Sequence, residues 1–475
     1  MEKNLSLPGN QRYQPKNLTS FFGYDNLYRP WGEIELAKLT VMWEIGMIPA
    51  SAWNLLSQKM INQIFNITTT ATDEIEKKIT KHDVNAHVRL MKEILPPEIG
   101  RYLHMPFTSY DKIHNAYVMN FRSAFHIVID PLSRELISGL ADLTESFAST
   151  LQIGRTHGQQ ALPITVGFWL ATLLDRIVYN YLEMRERTEK LRGKISGGVG
   201  AHNAQVALGF EEKSAPLTFE ERVLQKLHLK PALISTQILP PEAIAYFLFS
   251  ATMFSAALAQ LGRDGRHLMR TEIAEIVEGK GKTDVGSSTM AHKVNPINFE
   301  NTEGQFIRSK NEFGKVMDTL ISEHQRDLVN SSVMRDFPII LINLVYQLNT
   351  LLRKDPDSKL PFIKRIKVNE QRLMRNFRTN AHLIMAEPIY ISLQLAGYEG
   401  DAHELINNVL TPKAKKSGKS ILTHLMELAE TNGELEKTIE KIPAEVMTII
   451  MAPEKYVGKS REKALEVVNY ARQVI

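Results

Sequence analysis

The chain has 475 residues, of which 43% are hydrophobic and 23% charged, a balance that excludes a disordered chain. Lys and Arg number 57 against 53 Asp and Glu; the formal +4 is too small to argue for nucleic acid without clustered basic residues, and it suits an anionic small substrate. Cysteine is absent, which excludes disulfides, cysteine nucleophiles, thiolate zinc sites and iron–sulfur clusters and fits a reducing compartment.

At about 150 residues per domain, this length predicts about three regions. The first residues hold no apolar run long enough for a signal peptide, so a cytoplasmic protein is expected. Residues 1–110 read as several short helices. Trp31, Ile34, Leu39, Met42 and Ile45 recur at roughly helical spacing, and Pro96-Pro97 and Pro106 break the pattern. Residues 111–353 carry long helical stretches over 111–129, 131–150, 164–192, 241–275 and 296–320, and long helices joined by short loops predict an up-and-down bundle. Ala243 to Gly262 is free of charge and long enough to span a bilayer. Its Ala, Ser and Thr content, and the lack of a second such segment, favour a helix buried on all sides in a large bundle, and no membrane partner is expected. The polar run Lys354 to Lys359 marks a boundary, and residues 354–475 form a smaller helical region. There Lys413, Lys415, Lys416 and Lys419 read as a solvated loop. The predicted fold is all-α: three helical regions with a central long-helix bundle.

Two apparent motifs fail. Gly281-Lys282-Thr283 suggests a phosphate loop, but Ile276 stands where the first glycine must be. Gly198-Val199-Gly200 begins a dinucleotide fingerprint, but Asn203 takes the third glycine position and no strand precedes it. No His pair has convincing metal-ligand spacing. Neither a cofactor nor a metal is expected.

Other segments carry chemistry. In Gly286-Ser287-Ser288-Thr289-Met290-Ala291-His292-Lys293-Val294-Asn295-Pro296, small hydroxyl residues, free N–H groups and one Lys suit the clamping of an oxyanion. The same segment also reads as a surface loop in which Asn295 caps a helix that Pro296 opens. Arg155-Thr156-His157-Gly158-Gln159 places an accessible His at a loop–helix junction, with Pro163 about to open the helix. Thr108-Ser109-Tyr110-Asp111 has the form of a capping box, and such a helix start also binds anions. Ser331 and Arg335 are four apart and share a helix face, whereas Arg326 is nine from Arg335 and must reach the same place from the turn before a helix starting near Asn330.

The 286–296 segment resembles the signature loop of the fumarase/aspartase superfamily, Gly-Ser-Ser-x-Met-Pro-x-Lys-x-Asn-Pro, with Ala291 where the family usually has Pro. Ile297-Asn298-Phe299-Glu300-Asn301 and Lys81-His82-Asp83-Val84 are similar to the adenylosuccinate lyase branch. Thr156-His157-Gly158-Gln159, and His104 with Thr108, Ser109 and Asp111, match further family elements. So do Thr236-Gln237, the segment Arg326 to Arg335, and Arg12-Tyr13. The likeness runs from about residue 12 to about 405.

This resemblance implies a β-elimination that releases fumarate. It makes Ser287 the base rather than Ser288, which with Met290 belongs to the signature. Lys293 and Asn295 stabilise the aci-carboxylate, and His157 is the general acid. His82 and His104 position His157 or bind phosphate. Thr108, Ser109, Arg326, Ser331 and Arg335 hold carboxylates or phosphate, Asp111, Thr156 and Gln237 contact the substrate, and Arg12 and Tyr13 contact the nucleotide. The resemblance also implies a homotetramer with each site built from three subunits, a nucleotide substrate and no nucleic-acid partner. Another lyase or cycloisomerase of the superfamily, or an inactive structural homologue, is the alternative.

Overall fold

The structure is a computed structural model that describes residues 13–279, 290 and 293–475. By its contacts the chain divides into two compact units. Unit 1 comprises Met1–Arg134, Tyr179–Ala259 and Asn301–Thr350; unit 2 comprises Glu135–Val178, Gln260–Glu300 and Leu351–Ile475. The three successive regions remain a proposal about chain order. Helices dominate as expected, and two small antiparallel strand pairs are added among the described residues.

The long helices of the 111–353 region are Ser109–Ala124, Asp130–Ser146, Val166–Glu189, Glu242–Leu268, Ile297–Asp318 and Pro338–Leu351. A wider π turn over Phe125–Ile129 joins the first two. The expected 131–150 helix stops at Ser146, and the expected 241–275 helix stops at Leu268. In both cases a strand follows shortly, Leu151–Thr156 in one and Ile276–Val277 in the other. The Lys-rich patch is not a loop: Lys413, Lys415 and Lys416 lie on the helix Thr411–Ser417 with their side chains in solvent.

In unit 1 the core forms around Phe22, Trp31, Phe121, Phe247 and Phe254, all buried. Phe121 stacks on Phe247 with 5.7 Å between ring centres. Three long helices are joined by one amide. Gln347 accepts from the Ser255 hydroxyl at 2.6 Å and donates to the carbonyls of Thr302 (2.7 Å) and Ser255 (3.2 Å). Buried amides hold such positions because an unpaired one costs about 1–3 kcal/mol. The apolar helix Glu242–Leu268, with a mean hydropathy of 1.6 over its most apolar window, is 72% buried there, as a core helix is.

In unit 2 a core of Ile153, Phe377, Ile389, Leu393, Ile421 and Leu425 packs beneath the hairpin of Leu151–Thr156 and Gln159–Thr165. Its polar centre is Glu275, fully buried. The carboxylate takes two bonds from Arg155 (2.6 and 3.0 Å), one from Gln152 (2.9 Å) and one from Asn376 (2.9 Å).

Gln347→Ala should remove the bonds that Gln347 makes to the Ser255 hydroxyl and the Thr302 carbonyl. The expected result is a folded protein with an unfolding midpoint several degrees lower, a cost of about 1–3 kcal/mol, read by thermal denaturation.

Candidate functional site

In unit 1 the motif residues gather at the start of the helix Ser109–Ala124. Thr108 is its N-cap, and the Asp111 carboxylate accepts from the Thr108 N–H at 2.8 Å, completing the capping box. Asp111 does not reach outward. It is fully buried, ion-paired with the equally buried Lys194, and accepts from the N–H groups of Ser196 (3.2 Å) and Gly197 (3.3 Å). The expectation of a substrate contact at Asp111 is therefore corrected: its oxygens are taken, and it anchors the helix start.

Ser109 does face out. Its hydroxyl lies 3.3 Å from Nε2 of His82. His82 is the N-cap residue of the helix Asp83–Ile94, and its Nδ1 lies 3.2 Å from the Asp83 carboxylate. The other Asp83 oxygen is 3.5 Å from Arg335. The ring is thereby oriented with Nδ1 toward Asp83 and Nε2 toward Ser109.

Arg326 reaches the cluster from the turn before the helix Val329–Val333, as the spacing predicts. Nη1 donates to the Gln237 side-chain oxygen at 2.6 Å, and the guanidinium sits 3.8 Å from the Tyr110 ring centre. A cation over an aromatic face is held electrostatically. Tyr110 lies edge-on to His114 at 4.8 Å, and His114 Nδ1 accepts from the Leu239 N–H at 2.9 Å. Burial pushes His114 down to about 3, so this ring stays neutral and serves as an acceptor.

Ser331 and Arg335 line a cavity of about 270 Å³ together with Tyr28, Trp31, Asp83 and Tyr110. Burial raises the Tyr28 phenol. Burial alone would lower Arg335, but the Tyr28 hydroxyl and the Asp83 charge more than offset it, so the guanidinium stays protonated. Tyr13 packs edge-on against Tyr346, 5.4 Å between centres. His104 lies on the loop before Thr108 with a left-handed φ of 63°. Arg12 lies outside the described residues.

Some of these supports carry no recognisable motif. The 197–200 segment, which fails as a dinucleotide fingerprint, is instead a buttress. Ser196 Oγ bonds Ser235 Oγ at 2.7 Å, and Gly200 (φ 79°) runs so close to the Ser235 backbone that no side chain fits. That contact holds the segment carrying Gln237. Lys194 has no local signal in the sequence, whereas Tyr110 lies inside the capping-box motif.

In unit 2, Thr156 and His157 are not at a loop–helix junction. They form the tip of a β-hairpin, with Thr156 paired to Gln159. His157 (φ 53°) and Gly158 (φ 76°) are both left-handed, which makes the two-residue turn that matches strand twist. Both are exposed. Pro163 lies in the second strand, and the helix opens at Val166, where the Thr165 hydroxyl accepts from the Phe168 N–H at 3.1 Å.

Lys293 and Met290 are exposed and Asn295 is half-buried; the Lys293 N–H donates to the Met290 carbonyl at 3.0 Å. The helix starts at Ile297, one residue after Pro296, and its first N–H groups need an acceptor. Glu278 supplies it, accepting from Asn298 (3.0 Å) and Phe299 (3.1 Å). Those donors are therefore closed to a substrate anion. Ser287, Ser288 and Ala291 lie outside the described residues. Among the described residues no group of His, Asp and Glu could hold a metal ion.

A family model described as lyase matches residues 46–308. The chain belongs to this lyase family, part of the fumarase/aspartase superfamily. Curated relatives extend the likeness to the whole chain. The adenylosuccinate lyase of Pyrococcus abyssi is 31% identical over 98% of this chain and 98% of its own. That of Methanocaldococcus jannaschii is 31% identical over 98% of this chain and 96% of its own. Among solved structures, a 3-carboxy-cis,cis-muconate lactonizing enzyme from Pseudomonas putida superposes with a TM-score of 0.78 at 20% identity, covering 97% of this chain and 98% of its own. A fumarate lyase from Mesorhizobium sp. BNC1 gives 0.77 at 19%, covering 96% and 98%. These two establish the lyase-family fold.

If Asp111 is an anchor, Asp111→Ala strands the Lys194 ammonium in the interior. The expected cost is about 3–5 kcal/mol, seen as a large fall in unfolding midpoint. A variant of unchanged stability with only a raised KM would return Asp111 to direct substrate contact.

Proposed function

We propose that this lyase-family chain is an adenylosuccinate lyase, eliminating fumarate from adenylosuccinate to give AMP and from the succinyl-carboxamide ribotide of purine synthesis. The observation that carries the reading is the outward-facing set Ser109, His82, Arg326, Ser331 and Arg335, in a chain 31% identical to adenylosuccinate lyases over nearly its full length. Two arginines and two hydroxyls suit a substrate that carries a phosphate and two carboxylates.

The proton removed lies beside a carboxylate and is weakly acidic. The dianionic aci-carboxylate must therefore be stabilised electrostatically, and Lys293 and Asn295 are assigned to this. Ser287 is assigned as the base, which requires positive surroundings, since a free hydroxyl is far too weak at neutral pH. His157 protonates the leaving nitrogen. Its exposed position at a tight hairpin tip supports this role, because the ring projects from a rigid scaffold rather than a floppy loop. His82, with Nδ1 committed to Asp83, is a positioning or binding group.

We assign the working form to a cytoplasmic homotetramer with sites shared between subunits. Support comes from the helix Glu242–Leu268, where Tyr246 (57% exposed), Phe249 (46%) and Met253 (42%) form one apolar stripe at helical spacing. Such a contiguous stripe on a long helix fits a subunit contact.

Purified protein given adenylosuccinate, with no metal or cofactor, should release fumarate and AMP in equal amounts. Ser287→Ala should abolish release, and His157→Ala should lower turnover by ~10²–10⁴ with little change in binding. Absence of release from well-folded wild type would overturn the reading. Phe249→Glu should give smaller, inactive species in sedimentation, and fully active monomers would overturn the shared site.

A further inference from the structure

Glu35 belongs to none of the motifs. It lies on the helix Arg29–Glu44 and is fully buried. Its Oε2 accepts from the backbone N–H of His104 at 3.1 Å, and its Oε1 is 3.5 Å from Nδ1 of the same residue. Two fully buried ammonium groups flank the carboxylate: Lys38 at 3.0 Å and Lys112 at 3.4 Å. Each lysine has a further support. Lys38 donates to the Tyr102 carbonyl at 2.5 Å and lies over the Phe107 ring; Lys112 reaches His87 Nδ1 at 3.5 Å and lies over the Trp31 ring. Burial raises the Glu35 carboxyl, but the two ammonium groups more than offset it and hold it well below the usual carboxylate range.

This arrangement is poorly explained by stability alone. Replacing a buried ion cluster by apolar groups of similar volume is often neutral or stabilising. What the cluster does supply is geometry. His104 holds φ at 63°, a strained conformation that non-glycine residues adopt infrequently. Its N–H is fastened in that conformation by Glu35. Lys112 sits in the first turn of the helix that Thr108 caps, so the same carboxylate also fixes that helix start. One buried group thus sets the relation between His104 and the Thr108–Ser109 donors.

We propose that Glu35 is a positioning residue for His104, holding its backbone in the left-handed turn and its Nδ1 inward, so that Nε2 is the nitrogen offered to the substrate anion. This rests on the proposed function for the value of that placement, though the geometry itself does not depend on it.

The test is a double-mutant cycle. Glu35→Gln alone would leave two buried ammonium groups with no carboxylate between them, so it is paired with Lys38→Met, which keeps the net charge of the cluster. The double variant should fold, with kcat/KM for adenylosuccinate lowered roughly tenfold or more. The same two substitutions in a His104→Ala background should cost several-fold less, because the residue through which Glu35 mainly acts is gone and only the loosened Thr108–Ser109 end remains. Equal losses in both backgrounds would overturn the proposal. A crystal structure of the double variant gives a second reading that needs no activity. His104 is expected to leave the left-handed region, and an unmoved His104 would also overturn the proposal. Wild-type protein without lyase activity would reject the proposed reaction, and the His104 geometry would then decide the role of Glu35 by itself.

Discussion

The first turn of the helix Ser109–Ala124 is the constraint on which the unit-1 cluster depends. Two adjacent residues there, Asp111 and Lys112, carry opposite charges into the interior and find different partners, Lys194 and Glu35. Neighbours on a helix point about 100° apart, so the two pairs pull the turn in different directions. The turn can neither rotate nor slide without breaking one of them. The Thr108–Ser109 end, proposed to face a substrate anion, is thereby fixed in orientation. Rigid support of this kind is what lets a few polar groups discriminate by position.

From that turn the support spreads along bonded chains. Asp111 fastens the 196–197 backbone, Ser196 fastens Ser235, and the segment beyond Ser235 brings Gln237 against Arg326. Arg326 then lies on Tyr110, which belongs to the starting helix. The path closes on itself. A closed path restrains each member from two sides, so Arg326 is held in place although it stands in a turn and not in a regular element.

What the sequence reveals and conceals follows the range of the interactions. The capping box spans three residues and was legible. So was the placement of Arg326 in a turn, since a nine-residue offset cannot put two side chains on one helix face. The hairpin at 151–165 was concealed. Its His-Gly turn lacks the usual Asn-Gly mark, and Pro163 looks like a helix opener when it sits in a strand. The cap supplied by Glu278 was concealed too, because it comes from about twenty residues upstream and makes the local Asn295 unnecessary. Glu35 and Lys194 were beyond reach. Their bonds span 69 and 83 residues, and a charged residue on a helix reads as solvent-facing until its buried partner is known.

The tip of the unit-2 hairpin has a consequence for sequence drift. At position 157 the backbone and the chemistry make separate demands. The left-handed turn is satisfied by Gly, Asn or Asp at little cost, whereas the assigned proton transfer needs an imidazole. While the reaction is under selection the chemical demand prevails, and the backbone tolerates a residue it does not favour. A copy released from that selection would relax toward glycine or asparagine here before it lost the hairpin. On the role proposed for His157, the residue at this one turn is a marker by which a working lyase and a retired one of the same fold can be told apart.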